Sequence, residues 1–186
     1  MLGAAVFMGM VGCLPEQQVH DSSALVSARR VAVMPVVRPE GIADGGGQSG
    51  VLMTELAAMD YYDVEGVGRF RRALKKARNP NDLKTQQAVA KELGIDALGV
   101  CEVTDYRWTT SMQGNAYFRQ TVCTYRVALQ IQLISPDGKI LYTGRGYASS
   151  DKGYGPAALE ATKQAMRSLS NLIEKTKRQK KEARSA

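Results

Sequence analysis

The stretch CTYRVALQIQLISPDGKILYTGRGYA, residues 123–148, decides the fold. Its first half places apolar side chains at every second position: Cys123, Tyr125, Val127, Leu129, Ile131 and Leu133. A period of two over this length predicts a long strand with one buried face. Ser135-Pro136-Asp137-Gly138 is a turn sequence, because Pro presets φ and Gly accepts a left-handed backbone. Residues 139–148 are therefore predicted to return as an antiparallel strand.

The residues around this hairpin predict further strands and helices. Upstream, the apolar run RVAVMPVV and later periodic segments predict three strands and three helices: strands 30–37, 61–67 and 97–108, and helices 48–59, 69–77 and 83–93. Residues 109–117 are predicted to form a polar loop. Downstream, Pro156 opens a last helix whose apolar stripe begins with small residues, so its first turns can lie close to the sheet. The predicted class is α/β, a mixed sheet with a parallel βαβ first half, an antiparallel meander in the second half, and helices packed on it.

The amino terminus has the pattern of a lipoprotein leader. Residues 2–12 are uncharged and mostly apolar, and they are far shorter than the roughly 20 residues of a membrane-spanning helix. The run ends in Met10-Val11-Gly12-Cys13, which resembles a bacterial lipobox. We expect residues 1–12 to be a signal peptide and Cys13 to be the lipid attachment site. The alternative is a buried apolar segment with an incidental cysteine, since no Lys or Arg precedes the run.

Charge and polarity divide the rest of the chain into three parts. Residues 13–28 are expected to be a polar tether behind the lipid, residues 29–174 a single domain, and residues 175–186 a basic tail. The net charge is +7, and most of it lies in the tail. The body is therefore close to neutral, which argues against a nucleic-acid partner. The tail is expected to be either a frayed helix end or a segment attracted to anionic lipid headgroups or an acidic partner.

The sequence lacks the usual signatures of catalysis and metal binding. His20, the only histidine, lies in the predicted tether, so no Ser-His or Cys-His pair is expected. No Cys/His group has zinc spacing. The glycine-rich run Gly45–Gly50 precedes a helix, but the lysine of a phosphate-binding P-loop is absent, which favours an ordinary loop. We therefore expect no enzyme activity, no catalytic residue, no metal and no cofactor.

Cys101 and Cys123 lie on consecutive predicted strands. Pairing of those strands around a loop at 109–117 would bring the two cysteines close together. An oxidising periplasm favours a disulfide, but a slip of one residue would put the thiols on opposite faces. Both a disulfide and two buried free thiols stay open.

Two short segments of aromatic residues and arginine flank the predicted loop. They are the residue types that dominate interaction hot spots, and together they form the predicted partner-binding surface: Tyr106, Arg107, Trp108, Tyr117, Phe118 and Arg119. If the strands pair, all six are expected at one end of the sheet. The alternative is that these rings only seal the sheet edge.

The order and spacing of several segments resemble one superfamily of bacterial envelope lipoproteins. The segments are VAVMPVV, ADGGGQSGVLMTELAAMDYYDVEGVGRF, AKELGIDALGVCEVTDY and YRVALQIQLISPDGKILYTGRGYAS, which span roughly residues 30–173. The superfamily includes the curli-production transport lipoprotein, the lipoprotein activators of penicillin-binding proteins and the amino-terminal domain of TolB. The resemblance implies a periplasmic domain that is lipid-anchored at the outer membrane, that contacts envelope proteins and often forms rings, and that has no catalytic activity.

Three functions follow as expectations. The first is a non-enzymatic, oligomeric assembly or accessory component of an envelope export or secretion machine. The second is an activator of a peptidoglycan synthase. The third is a cytoplasmic ligand-binding domain whose start is misread.

Overall fold

A computed structural model describes residues 17–34, 48–65, 67–77, 79, 82–115 and 117–185. Its centre is a six-stranded mixed sheet in the order β1-β6-β5-β4-β2-β3. The strands are β1 (Gln17–Val19), β2 (Arg30–Val33), β3 (Asp63–Glu65), β4 (Ala97–Gly114), β5 (Arg119–Ile134) and β6 (Ile140–Ser150). β2 runs parallel to β3 and β4, and the remaining pairs are antiparallel. The predicted mixed α/β sheet is confirmed.

Five helices pack on this sheet. They are α1 (Ser22–Ser27), α2 (Gln48–Ala58), α3 (Val67–Lys75), α4 (Leu83–Glu92) and α5 (Tyr154–Ser185). The ends of α4 follow the sequence signals closely. The Asp82 carboxylate accepts the backbone N–H of Thr85 at 3.0 Å, and Gly94 ends the helix with φ +65°. Donation from Thr85 also holds the pKa of Asp82 below its usual range.

The larger core lies between the sheet and α5, together with α1 and α2. Gly144 and Gly146 of β6 let α5 approach the strand. A Cβ at Gly146 would lie 1.8 Å from the carbonyl oxygen of Ala161, and one at Gly144 would lie 1.9 Å from that of Ala165. Only glycine fits at this distance. The expected close approach of the first turns of the helix is therefore confirmed, and a smaller core fills the opposite face of the sheet beneath α3 and α4.

Part of the predicted tether belongs to the fold. β1 pairs with β6, with Gln17 opposite Gly144 and Val19 opposite Tyr142. Leu25 of α1 is completely buried in the larger core. The prediction of a tether is therefore wrong for residues 17–28. It failed because the polar residues of this segment cap and hydrogen-bond the fold, while its few apolar side chains face the core.

The predicted basic tail is helical. α5 continues to Ser185 without a break, Thr176 is buried, and the ammonium group of Lys177 donates to the carbonyl oxygen of Met59 at 2.8 Å. The boundary at residue 175 is therefore wrong, because the helix still packs against the body at residues 176 and 177.

Candidate functional site

β4 and β5 extend beyond the rest of the sheet as a two-stranded ribbon. β6 ends at Ser150, opposite Tyr125 of β5, whereas β4 and β5 stay paired from Trp108 opposite Tyr125 to Gly114 opposite Arg119. We call residues 108–125 the ribbon. It projects about 20 Å past the end of β6, at about 3.3 Å per residue. The predicted loop at 109–117 is therefore wrong, since most of it continues β4.

The tip of the ribbon is built by Gly114 and Asn115. Gly114 has φ +133°, and a Cβ there would lie 1.9 Å from the carbonyl oxygen of Phe118. The Asn115 side-chain oxygen accepts the backbone N–H groups of Tyr117 at 3.0 Å and Phe118 at 2.9 Å. These two hydrogen bonds satisfy the backbone N–H groups of the turn within the turn itself. The rings of Tyr117 and Phe118 are left pointing into solvent.

The ribbon exposes large apolar side chains. Trp108 is 58% exposed, Met112 75%, Phe118 71% and Tyr117 98%. Trp108 stands opposite Tyr125 in the register, and the Tyr125 ring contacts Tyr154 of α5. Because side chains alternate along a strand, Trp108 and Met112 share one face of the ribbon, the face that continues the side of the sheet covered by α5.

Charge is almost absent from the ribbon. Arg119 is the single charged residue between 108 and 125, whereas 23% of the whole chain is charged. Arg107, just before the ribbon, pairs with Asp105 at 2.7 Å. An apolar, uncharged surface of this kind is suited to contacts that exclude water and is unsuited to steering by charge.

Tyr106 anchors the base of the ribbon and is not on its surface. Its ring stacks on that of Tyr154, with centroids 3.7 Å apart and an interplanar angle of 13°, and it packs against the larger core. A β-bulge between Val103 and Asp105 shifts the alternation and turns Tyr106 towards α5. Burial raises the pKa of Tyr154. Tyr106 therefore packs within the fold at the base of the ribbon, and its role in partner binding stays a prediction.

The six predicted partner-binding residues do not converge at one point. Trp108 lies six residues before Gly114, so about 20 Å separates it from the tip that carries Tyr117 and Phe118. All six lie at the end of the sheet that carries the ribbon, but they are spread along it, because the predicted loop is mostly paired strand. The surface instead runs along the ribbon. Met112 was missed, although the alternation of Trp108, Thr110 and Met112 is readable in the sequence.

Cys101 and Cys123 are free. Cys101 stands opposite Ile131, whereas Cys123 stands opposite Thr110. Nine residues of β4 separate these positions, about 30 Å at 3.3 Å per residue, and a disulfide needs Cα atoms within about 7 Å. The disulfide alternative is wrong because the turn lies nearer to Phe118 than the spacing suggested. Burial raises the pKa of the Cys101 thiol to about 12.

The described residues offer no group of three or more His, Cys, Asp or Glu side chains that could hold a metal ion. His20 is exposed and lies 3.2 Å from the hydroxyl of Thr143. Within the same described ranges, no helix is both long and apolar enough to cross a bilayer. Cys13, the predicted leader and Gly45–Gly47 lie outside those ranges.

No protein-family model matches the chain, and no curated protein matches its sequence. Among solved structures, the chain is similar to a PelC dodecamer from Paraburkholderia phytofirmans, with a TM-score of 0.55 and 13% identity. That match covers 82% of this chain and 95% of the PelC chain. The domain therefore has the fold of PelC.

Two further solved structures resemble the chain more weakly. The C-terminal domain of LpoB from Salmonella enterica gives a TM-score of 0.46 with 16% identity, over 65% of this chain and 82% of that one. Lipoprotein GNA1162 from Neisseria meningitidis gives 0.46 with 19% identity, over 68% and 82%.

Proposed function

We propose that this chain is an outer-membrane lipoprotein, acylated at Cys13, whose periplasmic domain self-associates as a non-enzymatic component of an envelope export machine. The observation that carries the proposal is the projecting ribbon, with four large exposed apolar side chains and a single charge. Large apolar side chains that are exposed on one projecting element are typical of an interaction site. The PelC structure with the same fold is a dodecamer, which supports self-association.

The direction of β1 supports a lipid anchor near the ribbon. β1 is antiparallel to β6, so its amino end points towards the end of the sheet from which the ribbon projects. Four peptide units join Cys13 to Gln17, so the two Cα atoms lie within about 14 Å of each other. The proposed lipid therefore lies towards the base of the ribbon. The tip, twelve residues of β5 past the level of Gln17, is about 40 Å from that residue along the strand.

We assign the ribbon two contact regions. The face with Trp108 and Met112 packs against a neighbouring copy, where burying both side chains excludes water. The tip with Tyr117 and Phe118 contacts the export partner. Neither contact needs a charged residue, in keeping with the composition of the ribbon.

The test follows the full chain in the envelope of a bacterial host. Palmitate labelling is expected for the wild type and is lost in Cys13→Ala. Trp108→Ala is expected to keep both labelling and fold but to reduce co-purification of neighbouring copies and export proteins. An unacylated chain found in the cytosol contradicts the proposal. Co-purification of a peptidoglycan synthase alone, with the chain as a monomer, favours the activator function instead.

A further inference from the structure

The carboxyl-terminal turns of α5 carry a dense positive charge at the end of the fold opposite the ribbon. Residues 175–181, KTKRQKK, contain five bases and no acid. α5 starts at Tyr154, beside the base of the ribbon, and passes Gly146 at Ala161 and Gly144 at Ala165. It therefore runs away from the ribbon, and its last turns lie at the other pole of the molecule.

These turns leave the body of the protein. Thr176 is buried, but residues 178–183 are exposed on every side of the helix. A helix that is polar all round gains little from core packing. The helix dipole favours cations only within the last turn, whereas Lys175 and Lys177 lie more than two turns before Ser185. Helix stability alone therefore does not account for the charge run.

The ring of Tyr61 contacts two cations near these last turns of α5. The Arg29 guanidinium lies 4.3 Å from the centroid of the Tyr61 ring, and the Lys180 ammonium lies 5.4 Å from it. Lys180 also lies 3.4 Å from the Tyr61 hydroxyl oxygen. Two cations from distant parts of the chain are thus held on one ring. Two acids pair with Lys177 at this place: Glu174 at 3.8 Å and Asp60 at 3.9 Å.

We propose that the last turns of α5, together with Arg29 and Tyr61, form a docking site for an acidic segment of a protein partner. Charge complementarity is the basis, since clustered Lys and Arg recognise acidic motifs through charge-assisted hydrogen bonds. A linear acidic segment matches the site because the bases follow a helix, over about 9 Å between Lys175 and Lys181 at 1.5 Å per residue.

Anionic lipid is the competing occupant, and the geometry disfavours it. The choice between an acidic protein segment and anionic lipid depends on the proposed anchor at Cys13. Lys180 lies fifteen residues beyond Ala165, the level at which β1 pairs with β6, or about 23 Å along the helix. Charge is screened over about 8 Å at physiological ionic strength. A membrane that meets the ribbon end therefore exerts little electrostatic attraction on these bases.

The experiment titrates the detergent-solubilised full chain with a fluorescent twelve-residue poly-glutamate peptide. The variant Lys175→Gln/Arg178→Gln/Lys180→Gln, which includes the base beside Tyr61, is expected to bind at least tenfold more weakly. The matched control Arg72→Gln/Lys75→Gln/Lys76→Gln removes the same charge from the end of α3 and the residue after it, and is expected to change affinity less than twofold. Equal losses in both variants overturn the proposal, because net charge alone then explains the binding.

A second arm separates the sources of negative charge. The acylated full chain and its three-base variant are reconstituted into vesicles with and without phosphatidylglycerol, and the peptide titration is repeated. We expect phosphatidylglycerol to leave the peptide affinity unchanged, because the proposed anchor holds the membrane at the other end of the domain. Peptide binding that phosphatidylglycerol suppresses as strongly as substitution of the three bases overturns the acidic-peptide site in favour of lipid. The detergent titration is also repeated with the unacylated Cys13→Ala chain, so failure of the lipid anchor and failure of the docking site give different results.

Discussion

The rings of Tyr106 and Tyr154 stack at a centroid distance of 3.7 Å and join the base of the ribbon to the first turn of α5. Tyr154→Ala removes this stack and the edge contact with Tyr125. We expect a loss of about 2 kcal/mol in the free energy of unfolding, from lost burial and ring contact. Urea denaturation measures it. Trp108→Ala serves as the control and is expected to change stability by less than about 0.5 kcal/mol, because its side chain is mostly exposed.

Gly146 lies against the backbone of α5 and has no room for a side chain. Gly146→Ala places a Cβ 1.8 Å from the Ala161 carbonyl oxygen, so the helix must move away from the sheet. We expect destabilisation of about 3 kcal/mol, as in overpacked cores. Gly155→Ala is the matched control, since a Cβ there meets nothing within 4 Å. Thermal unfolding of the two variants should separate them clearly, and equal melting temperatures contradict the close packing.

The two cysteines of the domain should react as separate thiols. Under native conditions Cys123, which is half-buried, is expected to react with a maleimide reagent well before Cys101. Cys101 is buried, and its raised pKa of about 12 keeps it protonated near neutral pH. After unfolding without a reductant, mass spectrometry should show both thiols alkylated. A species that takes up label at these two positions only after reduction contradicts the strand register.

Asp21 links α1 to the turn between β5 and β6. Its carboxylate should make the free energy of unfolding depend on pH in the acidic range. Its carboxylate accepts from the Lys139 ammonium, from the Ala24 backbone N–H and from Ser23, which together lower its pKa from the ordinary value of 3.8. A lowered folded-state pKa contributes stability that is complete above pH about 4 and is lost as pH falls through the folded pKa.

The variant Asp21→Asn tests this linkage. Asn keeps a helix-capping oxygen but has no titrating charge. The variant is expected to be less stable than the wild type at pH 7, with a difference that shrinks as the pH approaches 2. Circular dichroism across an acid series measures the two curves. A difference independent of pH would show that the Lys139 contact adds no stability.

The sequence predicted the elements whose cues are local and periodic. The alternation from Val127 to Leu133 identified the core of β5, and Asp82 and Gly94 marked the ends of α4. These features succeed because burial and capping act within a few residues.

The failures share a different physical cause. β1 has three residues and is held by pairing with a strand more than a hundred residues away, which no local pattern reveals. The ribbon is exposed on both faces, and Thr109–Gly114 is polar apart from Met112, so this segment resembled a loop. The positions of Cys101 and Cys123 depend on where the chain turns, and that is set by the conformation of Gly114 and Asn115.

The central claim is that the exposed apolar face of the ribbon joins copies of this chain at the membrane. The most direct measurement is the native mass of the full chain extracted from membranes in a mild detergent. The account predicts a discrete oligomer for the wild type and for the control Leu83→Ala/Leu159→Ala, which removes exposed apolar side chains elsewhere. It predicts monomers for Trp108→Ala/Met112→Ala. A wild-type monomer at every concentration, or an oligomer that survives loss of Trp108 and Met112, contradicts it.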